Sequence, residues 1–192
     1  KVRISVNGML DHSNDRWLQE YPLSNDAGAV KQSIYSIRHI GNTDTPEAYE
    51  CGALALVKRL EKESQGRSKV VMMIGDSIPH GMVREYGIPE SDDGCPLGVD
   101  YKQAFAKLHE QCDSFYFVGC GNEFTVYQQK LVDQNKGQFV HLDKMVDVLP
   151  ELLIAMTRKS ESETAYTDYL HRLEQKNPDT AQKIIALLPG RK

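Results

Sequence analysis

The sequence predicts an α/β fold built on a mainly parallel, doubly wound sheet, and three observations predict it. Strand-like and helix-like segments alternate along most of the chain. Two strand-like runs, "SKVVMMIGD" (68–76) and "SFYFVGCG" (114–121), are almost continuously apolar, as strands covered on both faces of a parallel sheet are. Between them, Tyr101, Ala104, Phe105, Leu108 and Cys112 repeat at helical spacing, and a helix is the usual crossover between parallel strands.

Taken in order, "VRISV" (2–6) alternates β-branched and polar residues and reads as a strand. "DHSNDRW" (11–17) is a polar turn. "LQEYPL" (18–23) reads as a short return strand, confined to a sheet edge by Pro22, which has no N–H to donate. "SND" (24–26) supplies helix-capping side chains, and Val30, Ile34 and Ile37 carry a helix to about Ile40, ended by Gly41. Residues 48–62 form a second helix with Cys51, Leu54, Val57 and Leu60 on one side. Thr45 as cap and Pro46 as first helical residue make an ordinary start for it.

The stretch 77–98 is a long Gly- and Pro-rich loop, a length usually tied to function. After the strand at 114–121 come a weaker helix near 125–133 and a last strand, "QFVHL" (138–142). Val148, Leu149, Leu152, Leu153 and Met156 mark a further helical face, with Asp147 as cap and Pro150 in the first turn. Two short helices follow, the first carrying Tyr166, Tyr169, Leu170 and Leu173, the second running from Thr180 to about Leu188 after the break "NPD". No internal repeat is present.

With 192 residues, 40% hydrophobic and 26% charged, the chain can bury a sizeable core and has the balance of a soluble globular protein. A net charge of −4 gives no reason to expect nucleic acid or an anionic membrane as partner. No apolar run is long enough to span a bilayer, and the apolar part of "KVRISVNGML" is too short for a signal peptide. The sequence opens on Lys1 rather than Met, which leaves room for residues before it. Cys51, Cys95, Cys112 and Cys120 form no CxxC pair and no zinc-type spacing with His. They read as reduced thiols, hence a cytoplasmic protein, although their spacing leaves disulfides open.

Ligands of open parallel sheets bind beyond the carboxyl ends of the strands, and three polar clusters are expected at that edge: Asp11 with His12, residues 42–47, and Asp76, Ser77 and His80. In "GNTDTPEAYE" (41–50), Asn42, Asp44 and Glu47 are hard oxygen donors, suited to Mg²⁺, Ca²⁺ or Mn²⁺. Pro46 fixes the backbone so that its own carbonyl can face the same point, and Asp76 can approach from the tip of a strand. The metal candidates are therefore Asn42, Asp44, Pro46, Glu47 and Asp76, with Thr43, Thr45, Asp11, His12, Ser77 and His80 at the site edge. Each has a structural alternative: a helix start at Thr45, a loop cap at Asp76, a turn-former at Asp11 and His12, a hydrogen-bonded loop residue at His80.

Together, "GNTDTPEAYECGAL", "VVMMIGDSIPHG" and "VRISVNGMLDHSND" resemble the von Willebrand factor A domain family. The last two resemble its intracellular branch, and the first resembles the Asn-x-Asp-x-Pro-Glu loop of integrin β I-like domains. The resemblance covers residues 1–158 and leaves 159–192 as a helical C-terminal extension. It implies a doubly wound sandwich with a metal-ion-dependent adhesion site for Mg²⁺ at the carboxyl edge of the sheet. By it, Glu47 is a ligand at or beside that site. Asn42, Asp44 and the Pro46 carbonyl resemble the neighbouring integrin cation site, Asp76 matches the third-loop aspartate, and Thr43 or Thr45 stands for the threonine ligand. The family's first strand and helix, with the motif Asp-x-Ser-x-Ser, are absent from this chain, so half the ligands of the primary site are missing from it.

The expected function is a protein-binding, adhesion or scaffold module whose cation captures an acidic group of a partner protein, with the metal edge or the C-terminal helices as contact surface. The alternatives are a Mg²⁺-dependent hydrolase or phosphotransfer enzyme with His80 or His12 as base, and a metal-free assembly subunit. No Walker A, GxSxG or GxGxxG motif is present.

Overall fold

The computed structural model describes residues 2–38, 46–63, 68–86, 94–145, 153–154 and 162–187. The chain divides into two compact units, residues 1–64 with 77–112, and residues 65–76 with 113–192.

In the first unit, β1 (Asn7–Met9) and β2 (Leu18–Glu20) form an antiparallel hairpin, with Asn7 opposite Glu20 and Met9 opposite Leu18. The return strand is where the sequence puts it, but the expected strand over residues 2–6 is not formed: Ile4 makes one isolated bridge to Ser24. The pairing slips by one residue between that bridge and the hairpin, across the segment containing Pro22, which cannot donate to a ladder. Val2 and Ile4 are exposed, so the alternation of "VRISV" records β-propensity without a core for its apolar face.

Helix α1 (Ala27–Ser36) starts where Asp26 caps it, the carboxylate accepting from the Ala29 N–H at 2.6 Å. It buries no residue; Ile34 and Tyr35 face solvent. Helix α2 (Tyr49–Lys62) buries Tyr49, Glu50, Cys51, Gly52, Ala53 and Val57. Its start corrects the reading of Pro46 as first helical residue. The capping position is Ala48, and Glu47 instead pairs in parallel with Pro79, its N–H donating to the Ile78 carbonyl at 3.0 Å. The segment is extended because a backbone partner holds it.

After this bridge, Gly81 adopts φ +83°, a left-handed turn that glycine makes without strain, and α3 (Met82–Tyr86) follows. Helix α4 (Tyr101–Gln111), capped by Asp100 through the Gln103 N–H, packs against α2 and buries Tyr101, Ala104, Phe105 and Leu108. These are four of the five positions its periodicity singled out.

The second unit holds a parallel sheet in the order β3 (Val70–Gly75), β4 (Ser114–Gly119), β5 (Gln138–His141). Register runs from Val70 opposite Ser114 to Gly75 opposite Gly119, and from Tyr116 opposite Gln138 to Gly119 opposite His141. Helices cover both faces. On one, α5 (Thr125–Gln134) approaches so closely that a Cβ on Gly119 would come within 2.6 Å of the Gln128 amide oxygen and 2.7 Å of the Phe139 ring. A short helix, α6 (Leu142–Met145), continues directly from β5.

On the other face, α7 (Glu163–Lys176) and α8 (Pro178–Leu187) bring Tyr166, Leu170, Leu173, Ala181 and Ile184 onto Val118 and Val140, with Met72 and Leu142 beside them. The two tail helices thus share the core of the sheet. Ser162 caps α7 through the Ala165 N–H. Burial raises the Tyr116 hydroxyl to about 12, with Tyr166 adding to the shift.

Strand β4 is buried from Phe115 to Gly119, as expected. Strand β3 is not buried on both faces: Val71 and Met73 are inside, but Val70 and Ile74 are 40% and 54% exposed. Among the described residues β3 pairs only with β4, and the tail helices reach Met72 without covering its neighbours on that face. The α/β class and a parallel sheet therefore stand, with three strands described. In the helix expected near 148–156, only Leu153 and Ile154 lie among the described residues; both are helical and exposed.

Ile184 is fully buried and Ile34 is 53% exposed. Ile184→Ala is expected to cost about 2–5 kcal/mol by leaving a cavity, whereas Ile34→Ala should stay within about 0.5 kcal/mol. Urea unfolding of the two variants checks this, and equal costs would mean that the tail helices do not share the sheet's core.

Candidate functional site

The first unit holds a buried cluster of ionisable and sulfur side chains around the first turn of α2. Its centre is Glu50, whose side chain has no solvent exposure. Oε2 accepts from the His80 backbone N–H at 3.1 Å. Oε1 lies 3.1 Å from His80 Nδ1 and 3.3 Å from His12 Nε2. The far nitrogen of His80, Nε2, lies 3.2 Å from Asp11 Oδ1. His80 thus lies between two carboxylates, hydrogen-bonded to Glu50 and within ion-pair distance of Asp11. Burial pushes the Glu50 carboxyl up, but the His80 hydrogen bond and charge outweigh it, and the group ends below its ordinary value.

Each element has a local reason to be where it is. Asp11 closes the hairpin turn, its Oδ2 accepting from the Ser13 N–H at 3.0 Å and its carbonyl from the Asn14 N–H at 3.1 Å. That turn presents His12, whose ring packs against Trp17 (centroids 5.0 Å apart) and His80 (5.2 Å). His80 is fixed by the Glu47–Pro79 bridge just before it and the left-handed Gly81 just after. The Tyr49 hydroxyl faces the Ser77 N–H at 3.4 Å, a second tie between α2 and this loop.

Two thiols complete the cluster. Cys51 Sγ lies 3.4 Å from Cys95 Sγ, and Cys95 Sγ lies 3.5 Å from His12 Nε2. None of the four cysteines is in a disulfide. Burial, with the Cys95 and Glu50 neighbours adding, raises the Cys51 thiol far above its ordinary range, and burial raises Cys95 as well. One donor atom from each of His12, Glu50, Cys51 and Cys95 lies within 4.8 Å of every other. A nitrogen, an oxygen and two sulfurs form a donor set suited to a borderline-soft ion.

The sequence-derived candidates fall into groups. Asp11, His12 and His80 are brought together, and all three belong to this cluster. Pro46 is buried and Glu47 half-buried at the bridge to Pro79, two residues beyond buried Ser77. Asp76 is exposed, at the end of β3 in the second unit. Asn42, Thr43, Asp44 and Thr45 lie outside the described residues. Asp11 and His80 each shape their loop, and each also contacts the cluster.

Sequence reasoning passed over Glu50, Cys51 and Cys95, and it found no zinc-type Cys and His spacing. The donors of the cluster come from three segments whose proximity no local spacing encodes. The usable signal was the polar pair Glu50–Cys51 on the buried face of a helix. No family model and no curated protein matches this chain. No described helix is long and apolar enough to cross a membrane.

Because the folded-state value of Glu50 is lowered, its ionised form favours folding. That contribution is whole above the ordinary carboxyl value of 4.5 and is lost as pH falls through the lower folded value. In metal-free protein, Glu50→Ala should cost about 3–5 kcal/mol at pH 7 by leaving two histidines without their shared partner, and the gap to the wild type should close below pH 4.5. Urea unfolding across that range measures it; a gap that persisted unchanged into strong acid would rule out an ionised Glu50.

Proposed function

We propose that this chain is a cation-dependent protein-binding module of the von Willebrand factor A type, in which Mg²⁺, Ca²⁺ or Mn²⁺ at the loop edge is completed by an acidic side chain of a partner protein. The observation that carries the reading is the parallel bridge between Glu47 and Pro79, with the Glu47 N–H on the Ile78 carbonyl at 3.0 Å. Thirty-odd residues separate these segments, and they are the two whose motifs, Asn-x-Asp-x-Pro-Glu and Asp-Ser-Ile-Pro-His-Gly, the resemblance assigns to one cation edge. Backbone hydrogen bonding between them ties the segment carrying Glu47 to the one carrying Ser77.

Asn42 and Asp44 enter the proposal through the sequence. The ion acts as a recognition element: it holds the protein's oxygens on one side and leaves a position for the partner's carboxylate. The metal edge is the better contact surface than the C-terminal helices, since the apolar faces of α7 and α8 are already packed on the sheet.

Saturating Mg²⁺, Ca²⁺ or Mn²⁺ is expected to raise the melting temperature, by the equivalent of about 2.7 kcal/mol at a hundredfold excess over Kd. Glu47→Ala with Asp44→Ala should abolish the rise, and capture of a carboxylate-bearing peptide should require the cation. No thermal shift in the wild type, or phosphoester turnover lost in Asp76→Ala, would replace this reading with the assembly-subunit or enzyme alternative.

A further inference from the structure

The buried cluster in the first unit makes a different prediction from the loop edge. We propose that His12, Glu50, Cys51 and Cys95 form a closed, structural zinc site. A tetrahedral Zn²⁺ with nitrogen and oxygen ligands at about 2.0–2.2 Å and thiolates at about 2.3 Å sets its donor atoms about 3.3–3.8 Å from one another. Three of the six donor spacings fall in that interval: 3.3 Å from His12 Nε2 to Glu50 Oε1, 3.5 Å from His12 Nε2 to Cys95 Sγ, and 3.4 Å from Cys51 Sγ to Cys95 Sγ. All six pairwise spacings of the donors are at most 4.8 Å. A nitrogen, a carboxylate oxygen and two sulfurs from three separate segments thus converge on one point, three of their contacts at tetrahedral-edge distances.

The donor set selects the ion. Two thiolates and an imidazole favour Zn²⁺ over Mg²⁺ or Ca²⁺, whose preferred ligands are all oxygen. Four protein donors leave no open position, so the site is structural, and a metal-bound water nucleophile has no place in it.

The surroundings are those of a supported metal site. His80 grips Glu50 through both its backbone N–H and its ring, and Asp11 holds the far side of that ring at 3.2 Å. His80 and Asp11 are thus positioning residues, fixing the carboxylate that would ligate. The Trp17 ring covers His12, and the side chains of His12 and Glu50 are 6% and 0% exposed, which shields the site from water. Binding balances in protons: each cysteine surrenders its thiol proton to solvent as its sulfur takes the metal.

The site would clip three pieces of chain together, the hairpin turn at His12, the first turn of α2, and the segment at Cys95 before α4. The outer pieces are 83 residues apart in sequence. A cross-link over so long a loop restricts the unfolded chain most.

This proposal is independent of the protein-binding reading. The test uses the full chain, stripped with chelator under reducing conditions and reloaded with Zn²⁺, or with Co²⁺ as a spectroscopic stand-in. One zinc bound per chain is expected, as is a Co²⁺ spectrum with intense tetrahedral bands and sulfur charge-transfer absorption. Cys51→Ser and Cys95→Ser should lose the charge-transfer intensity contributed by their sulfurs and bind zinc more weakly; Cys120→Ser should change neither. His80→Gln should weaken zinc binding about 10- to 100-fold while keeping the tetrahedral spectrum.

Should the cysteine variants fail to fold, the wild type still decides. Zinc should slow alkylation of Cys95 but not of Cys120, as read by peptide mapping. Zinc far below one per chain after reloading, a weak octahedral Co²⁺ spectrum, or a Cys95 alkylation rate unchanged by zinc overturns the proposal. A Mg²⁺ thermal shift lost in Glu47→Ala but kept in Cys51→Ser, with zinc showing the reverse pattern, separates the two sites.

Discussion

Glu50 carries a carboxylate that water does not reach, and a buried charge survives only when partners supply what solvent would have supplied. Here the partners are a backbone N–H and two imidazoles, and each comes from a segment that would otherwise be a loose loop. His80 can meet Glu50 twice only if residues 77–82 run beside the entry to α2, which is where the Glu47–Pro79 bridge holds them and where Gly81 turns the chain away. Asp11 can meet His80 only if the hairpin turn is closed, which its own carboxylate accomplishes. The hairpin, the loop and the helix are therefore fixed by one electrostatic requirement, and the apolar packing of α2 on α4 is built beside it.

The two proposed cation chemistries begin three residues apart, at Glu47 and Glu50, yet do not compete. Glu47 lies in the extended segment before α2, in a motif whose candidate ligands are oxygen donors. Glu50 lies inside the helix, facing sulfur and imidazole. Ligand hardness separates the ions that each would hold. A rigid α2 entry is useful to both, because a recognition loop binds tightly only when the elements beneath it are already ordered.

Much of the fold was legible from the sequence where the signal is local and repeated. The period of Tyr101, Ala104, Phe105 and Leu108 named the buried face of α4, the capping carboxylate of Asp26 marked the start of α1, and the unbroken apolar run of "SFYFVG" marked the covered strand β4. Errors arose where a partner distant in sequence decided the outcome. "VRISV" has the composition of a strand, but Pro22 and a one-residue slip leave it a single bridge. Thr45 and Pro46 look like a helix start, but Ile78 offers the Glu47 N–H a carbonyl and the helix begins later. The candidate site was half legible for the same reason. Asp11, His12 and His80 could be named as loop polar residues, whereas Glu50, Cys51 and Cys95 look like a surface acid and two scattered thiols until the chain is folded.

The division of the chain into units has a consequence for how the protein is made. The second unit takes residues 65–76 out of the middle of the first and then resumes at 113. Strand β3 is synthesised before α4 but cannot pair until β4 emerges, 44 positions later in register, and the first unit lacks α4 and Cys95 until the same stretch has been made. Neither unit can fold as a simple N-terminal domain while the remainder is being translated. Each must hold an apolar segment, "VVMMIG" in one and the buried face of α2 in the other, until a later one arrives. Such interleaving favours late, cooperative folding over vectorial folding, and it means that no single cut separates one intact unit from the other.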